Sequence, residues 1–311
     1  MEAGRYYRVA EHVFALNLPE AYYGQLTNYE PFRLQGDKAG IGGKDDEFLF
    51  TLSLTDDPME NLSARHIFTD ASEDDMPRIE VYQTDDGWLV QVAVLKNQPV
   101  CCRLFATRDF RTARLCVLAL EQMRFAVNNA VMLLYAFSTV KFNTLEMHAA
   151  VVVKEGLGYL FLGKSGTGKS THAQQWLKAF PDAWLLNDDN PILRLKEEDG
   201  KTVLRVYGSP WSGKTPCYKN ESAVVGGIVK LSQAKQNIAR QMRLPEAYAY
   251  MLSSVSGMKI DPPSMDALYG TLSRLVETFP LHHLDCLPDT DAACVCYEAV
   301  RGNICKASPT T

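Results

Sequence analysis

Three glycines, two lysines and a run of hydroxyl side chains fall together in GKSGTGKST (163–171), the spacing G-x-x-x-x-G-K-[ST] of a phosphate-binding loop. Glycine at positions 163, 166 and 168 lets backbone N–H groups turn inward around an anion without a Cβ in the way. Gly163, Lys164, Ser165, Gly166, Thr167, Gly168, Lys169, Ser170 and Thr171 are therefore the candidate nucleotide-binding residues. Lys169 adds a point charge for the β- and γ-phosphates, and Ser170 offers a hydroxyl to a Mg²⁺ that bridges them. The helix that opens there points its positive end at the same phosphates.

Nineteen residues beyond Lys169 stands an acidic doublet, Asp188-Asp189. Near a Mg·nucleotide one carboxylate serves as a direct or water-mediated metal ligand, and a second accepts the proton of an attacking hydroxyl. Nucleotide-dependent phosphate chemistry is the leading expectation.

The elements that must position these groups are legible in the pattern. Residues 159–162 form a short apolar strand into the loop, and Ala173, Trp176, Leu177 and Phe180 recur at helical spacing after it. That helix, expected over 170–180, is followed by a turn at Pro181-Asp182 and a strand over 183–186 that delivers the acids at its end. Upstream, 146–153 and 158–163 flank the turn-like 154–157, which predicts an antiparallel hairpin. A two- or four-residue loop sets His148 opposite Gly163, and a three-residue loop shifts this by one. His148 is thereby expected beside the nucleotide site.

A chain of 311 residues, 46% hydrophobic and 22% charged, is long enough for two modest domains or one large one. A net charge of −5 argues against a broad nucleic-acid surface, so the expected partner is a nucleotide. Of eight cysteines, two are adjacent (Cys101-Cys102) and two share an apolar run (Cys294, Cys296), which is not a disulfide framework. With no apolar signal core at the N-terminus, a cytoplasmic location is expected. His282, His283 and Cys286 lack the second pair a zinc site needs. The most apolar stretch, 116–137, is interrupted by Glu121, Gln122, Arg124, Asn128 and Asn129 and reads as a core helix, not a membrane span.

Before about residue 115 the texture is mostly β, with strands expected over 47–54, 78–82 and 88–95 and a hairpin turn at 84–87. The acid-rich stretch 55–77 reads as a surface loop. The expected domains are a β-rich 1–114 and a nucleotide-binding 115–311.

A histidine on a strand entering a hairpin, a phosphate loop on the return strand and an Asp-Asp doublet soon after it together resemble the HPr kinase/phosphorylase and phosphoenolpyruvate carboxykinase superfamily. The matching segments are MHAAVVV, FLGKSGTGKST and LLNDDNPIL, within about 145–195, with weaker likeness in YGSPWSGK (207–214), AVVGGIVKLSQ (223–233) and LDCLPDTDAA (284–293). The chain resembles in particular the HPr-kinase-like proteins of bacteria. The resemblance implies an α+β core with a mixed, largely antiparallel sheet, ATP or another nucleotide or pyrophosphate as donor, and Mg²⁺. It casts Asp188 as the general base with His148 as its hydrogen-bonding neighbour, Lys169 on the phosphates, and Ser170 and Asp189 on the metal.

The chain also departs from that pattern. The usual His-Gly is His148-Ala149 here, and the later glycine-rich, glutamate-containing signature has no counterpart, so HPr itself is not carried over as acceptor. The segment 207–214 reads either as a second anion-facing turn, with Lys214 stabilising transferred charge and Trp211 shielding the site, or as a surface turn. The expected activity is phosphoryl transfer to a hydroxyl of a small-molecule or protein acceptor. A nucleotide sensor or assembly module and a nucleotide hydrolase are the competing classes, and a homo-oligomer is left open.

Overall fold

In the computed structural model, which describes residues 4–35, 47–70, 76–213, 215–257 and 261–301, the chain divides into two units. The first runs to Thr139 and the second takes up the chain from Val140, with 261–264, which lead into and begin a helix of the second unit, grouped with the first. The fold is mixed α+β, with one large mixed sheet in each unit.

The first unit is built from β1 (Arg5–Val9), β2 (His12–Asn17), β3 (Glu47–Leu54), β4 (Ala64–Asp70), β5 (Arg78–Thr84), β6 (Gly87–Ala93), β7 (Val100–Thr107) and β8 (Thr112–Val117). Its strand order is β1-β2-β3-β8-β7-β6-β5-β4. Along β7 the alternation is plain: Cys102, Leu104 and Ala106 are buried, while Arg103, Phe105 and Thr107 lie on the half-covered face. A one-turn helix, α1 (Glu20–Tyr23), follows β2.

The helix expected in the 116–137 stretch forms as α2 (Met123–Thr139) and packs on β3, β7 and β8. These contacts place it in the first unit, whereas the boundary expected from sequence fell near 115. The segment Leu120–Phe142 is long and apolar enough to cross a membrane by length and composition, yet 61% of its apolar 18-residue stretch is buried inside the protein. Ala126, Val127, Ala130, Val131 and Leu134 are buried, and the Tyr135 hydroxyl donates to the Val9 carbonyl at 3.0 Å.

The stretch expected as a surface loop contains a strand, β4. It lies at the sheet edge, pairs with β5 alone and is almost wholly exposed. With solvent on both faces it needs no two-residue apolar period, so pattern reading has nothing to detect.

The second unit contains β9 (Thr144–Met147), β10 (Ala149–Lys154), β11 (Leu157–Leu162), α3 (Lys169–Ala179), β12 (Trp184–Asn187), β13 (Ile192–Glu198), β14 (Lys201–Tyr207) and β15 (Ser222–Gln233). After these come β16 (Ile238–Gln241), α4 (Leu244–Ser254), β17 (Val255–Ser256), α5 (Pro262–Thr278), β18 (Leu281–Cys286) and α6 (Thr290–Arg301). The main path is β12-β10-β11-β15-β14-β13-β9-β17, with β18 on β15 and β16 on β18. Among the described strands of this unit only β11–β15 and β15–β18 run parallel, so its sheet is mixed and largely antiparallel.

The hairpin β10–β11 closes through two residues, Glu155 and Gly156, both in the left-handed region at φ 52° and 76°. That geometry matches the twist of the flanking strands. It fixes the register in which Ala149 faces Leu162, the one that carries His148 up to the start of the phosphate loop.

Alternation splits the core of this unit in two. Leu160, Leu162 and Ile228 face Met251, Leu272 and Leu275 on the side of α4 and α5. Tyr159, Phe161 and Val229 face Ala173, Trp176 and Cys296 on the side of α3 and α6. Trp176 is fully buried, in tilted contact with Tyr159 and Phe161 and edge-on contact with Phe180 and Tyr297, and its indole N–H donates to His172 Nε2 at 3.1 Å. Trp176→Ala should destabilise the protein by about 3–5 kcal/mol, because it empties a large core volume and orphans a buried imidazole. Denaturant unfolding checks this, and a loss below about 1 kcal/mol would mean the indole is not the core of that face.

Candidate functional site

Most of the residues singled out from the sequence gather at one end of the second unit's sheet. There β11 ends, β10 begins and β12 ends, so the 163–171 glycine loop, His148 and the Asp188-Asp189 doublet are brought to neighbouring positions by strand pairing.

The loop leaves β11 at Gly163 and enters α3 at Lys169. Its glycines act in two ways. A Cβ at Gly163 would sit 2.9 Å from the Thr167 side chain, so that position is glycine for space. Gly166 and Gly168 have φ of +74° and +104°, which a side chain would strain. Between them the chain folds back on itself, with Thr167 N–H donating to the Lys164 carbonyl at 3.1 Å.

Lys169 is buried, and its ammonium spans the loop. It donates to the Gly163 carbonyl at 2.9 Å, lies 3.4 Å from the Lys164 carbonyl and 2.8 Å from His148 Nε2. The opposite ring nitrogen of His148, Nδ1, is 3.2 Å from Asp189 Oδ1. Asp189, His148 and Lys169 thus form one chain of polar contacts leading into the loop. Ser170 and Thr171 follow on the exposed first turn of α3.

This corrects the pairing expected from the resemblance, in which His148 neighbours Asp188. The cause is local. Asn187 Oδ1 accepts from the Asp189 N–H at 2.9 Å, a side-chain turn that rotates the doublet at the strand's end. Asn187 is itself fixed by donating to Ser209 Oγ at 3.2 Å and to the Trp211 carbonyl at 3.0 Å. Asp189 is held further by Asn190, whose amide donates to Oδ2 at 3.0 Å.

Asp188 is buried at 5% exposure, and neither of its carboxylate oxygens has a hydrogen-bond partner among the described residues. A buried carboxylate with no donor is costly to the fold. Such a group is what an arriving hydroxyl or cation would satisfy. Trp211 is buried, and a Cβ on Gly213 would come within 3.1 Å of the Asp188 carbonyl and 3.3 Å of Asp189 Cβ. The 207–213 segment therefore lies against the doublet, while Lys214 lies outside the described residues.

No cluster of three or more His, Cys, Asp or Glu able to hold a metal occurs among the described residues. A Mg²⁺ carried in with polyphosphate needs fewer protein ligands, since phosphate oxygens and water complete its shell. Ser170, Asp188 and Asp189 carry oxygen atoms of the kind such an ion takes, those of Asp188 being without a partner among the described residues.

A solved structure resembles this chain. It is described as the HPr(Ser) kinase/phosphatase from Coxiella burnetii, with a TM-score of 0.31 and 13% sequence identity over 52% of this chain and 91% of that one. No family model and no curated protein matches the sequence.

Glu146 is a buried acid near the doublet that sequence reasoning did not single out. It lies on β9, opposite Ile192 and Ser256, is 1% exposed, and has no hydrogen bond of ordinary geometry on either oxygen among the described residues. Burial first, then the negative charge of Asp189, push its pKa well above the usual carboxylate value, with the Ser256 hydroxyl opposing them. A lone acid in the apolar run before His148 was the available signal.

Glutamate in an unfolded chain ionises near pH ~4.3, so between that pH and its raised folded pKa the unfolded state sheds a proton that the fold retains. Stability from this group is therefore complete below about pH 4 and declines as pH rises toward the folded value. Glu146→Gln should melt higher than the parent at about pH 8 in chelator-treated buffer and equal it at about pH 4. A variant less stable at the higher pH would mean the carboxyl is ionised in the fold.

Proposed function

We propose that the second unit binds a nucleotide by its polyphosphate in the 163–171 loop and transfers the terminal phosphoryl group to a hydroxyl of a small-molecule or protein acceptor. The observation that carries this is the Lys169 ammonium, held inside a glycine loop and joined through His148 to an acid of the doublet.

Each residue has a distinct task. The loop amides and Lys169 neutralise charge on the β- and γ-phosphates, while His148 and Asp189 fix where Lys169 can reach. Asp188, with its free oxygens, takes the proton of the attacking hydroxyl as the new O–P bond forms and the bond to the bridging oxygen of the donor breaks, leaving the nucleoside diphosphate. Ser170 and Asp189 would hold Mg²⁺, which when bound neutralises phosphate charge.

Incubation with γ-labelled ATP and Mg²⁺, with and without a panel of metabolites and cell proteins, tests this. Label in an acceptor supports transfer. Label only in free phosphate makes the protein a hydrolase, and tight ATP binding with no turnover makes it a sensor. Either outcome overturns the transferase assignment.

A further inference from the structure

A second feature borders the phosphate loop on the side away from the acids. Between the loop, the end of β15 and α4 lies an open cleft of about 480 Å³, a volume within the usual range of small-ligand sites. Lys164, Ser165, Lys230, Ser232 and Tyr250 line it.

Part of its polar lining is engaged within the protein, the Ser232 hydroxyl lying 2.9 Å from His283 Nε2. Neither Lys164 nor Lys230 forms an ion pair within 4.0 Å among the described residues; the Lys230 charge acts on Glu246 from farther off, and its ammonium rests over the Tyr250 ring, 4.7 Å from its centroid. The Tyr250 hydroxyl likewise has no hydrogen bond among the described residues. The cleft is tied to the loop, since Gln233 Nε2 donates to the Gly166 and Thr167 carbonyls at 3.3 Å each.

Position decides what this cleft takes. Strand order at this end of the sheet is β12, β10, β11, β15, so Lys230 stands three strand spacings, about 14 Å, from the strand that carries the acids. On the phosphate-loop reading the terminal phosphate lies toward β10 and β12, where Lys169, His148 and Asp189 meet. A small acceptor or a pyrophosphate engaged there cannot also fill the β15 side, whereas the rest of a nucleoside triphosphate has to go somewhere along that line.

The geometry points to the Lys164–Lys230–Tyr250 cleft as the subsite for the nucleoside end of the donor, which makes the protein selective for a nucleoside triphosphate over pyrophosphate. Lys164 and Lys230 meet the α-phosphate side of the tail, and Tyr250 offers ring and hydroxyl to the nucleoside. This rests on the phosphate-loop assignment above.

Calorimetric titration of the full chain with ATP and, separately, with pyrophosphate tests it, using the parent, Lys230→Ala/Tyr250→Ala, Lys230→Met and Lys169→Ala. The double variant is expected to bind ATP at least about tenfold more weakly and pyrophosphate within about twofold of the parent, and Lys230→Met to weaken ATP alone by a smaller factor. Retained pyrophosphate binding also reports an intact fold. Unchanged ATP affinity, or equal weakening of both ligands, overturns the subsite. Lys169→Ala separates the two ideas: loss of both ligands there upholds the phosphate loop whatever the cleft variants do, and retention of both rejects the loop itself.

Discussion

Asp188→Asn will leave ATP affinity within about threefold of the parent and lower phosphoryl transfer by about 10²–10⁴, the range associated with a positioned proton acceptor. The substitution keeps the shape of the side chain and removes only its capacity to hold a proton. Asp188 makes no hydrogen bond among the described residues that the amide would break, so the fold has little reason to resist the change. The amide also ends the cost of a buried unpaired charge, and the variant should be at least as stable as the parent. Transfer rates under saturating ATP, with a melting curve alongside, check both halves. Parent-like transfer would remove Asp188 from the reaction.

Lys169→Ala carries the second large effect. In the free protein the ammonium holds the loop together through the Gly163 and Lys164 carbonyls and caps the Asp189–His148 chain. On nucleotide binding the same charge faces the phosphates from a buried position, where a charge-assisted contact is about twice as strong as a neutral one. Its loss should weaken ATP binding by at least about tenfold and remove measurable transfer, since transition-state charge is then uncompensated. Lys169→Arg is expected to rescue poorly, because the planar guanidinium cannot occupy the compact position between the loop carbonyls and His148. A Lys169→Ala protein that binds ATP as the parent does would leave the loop without a function.

What could be seen in the sequence tracks how local the physics is. The hairpin was legible because two apolar strands flank the turn-like 154–157, but its register stayed open by one residue, and the two-residue Glu155-Gly156 turn is what settles it and carries His148 to the loop. The loop glycines were legible because their positions are dictated by φ and by the space at Thr167. The partner of His148 was not legible, because a side-chain turn from Asn187 decides which acid faces it. Glu146 could have been noticed as a charge within an apolar strand, but its lack of partners is a tertiary fact. The cleft was out of reach altogether, since Lys164, Lys230 and Tyr250 are joined only by the parallel pairing of β11 with β15 and the packing of α4 beside it. Strand β4 escaped notice for the opposite reason, being an edge with no buried face.

The most direct test of convergence on one polyphosphate is a crystal structure with a non-hydrolysable ATP analogue and Mg²⁺. The loop amides should enclose the β-phosphate, and the Lys169 ammonium should stand within about 3.2 Å of a γ-phosphate oxygen, with Asp188 facing the open side of that phosphate. An analogue bound away from the loop, or Lys169 still pinned to the Gly163 carbonyl and His148 with the phosphates elsewhere, would contradict the account.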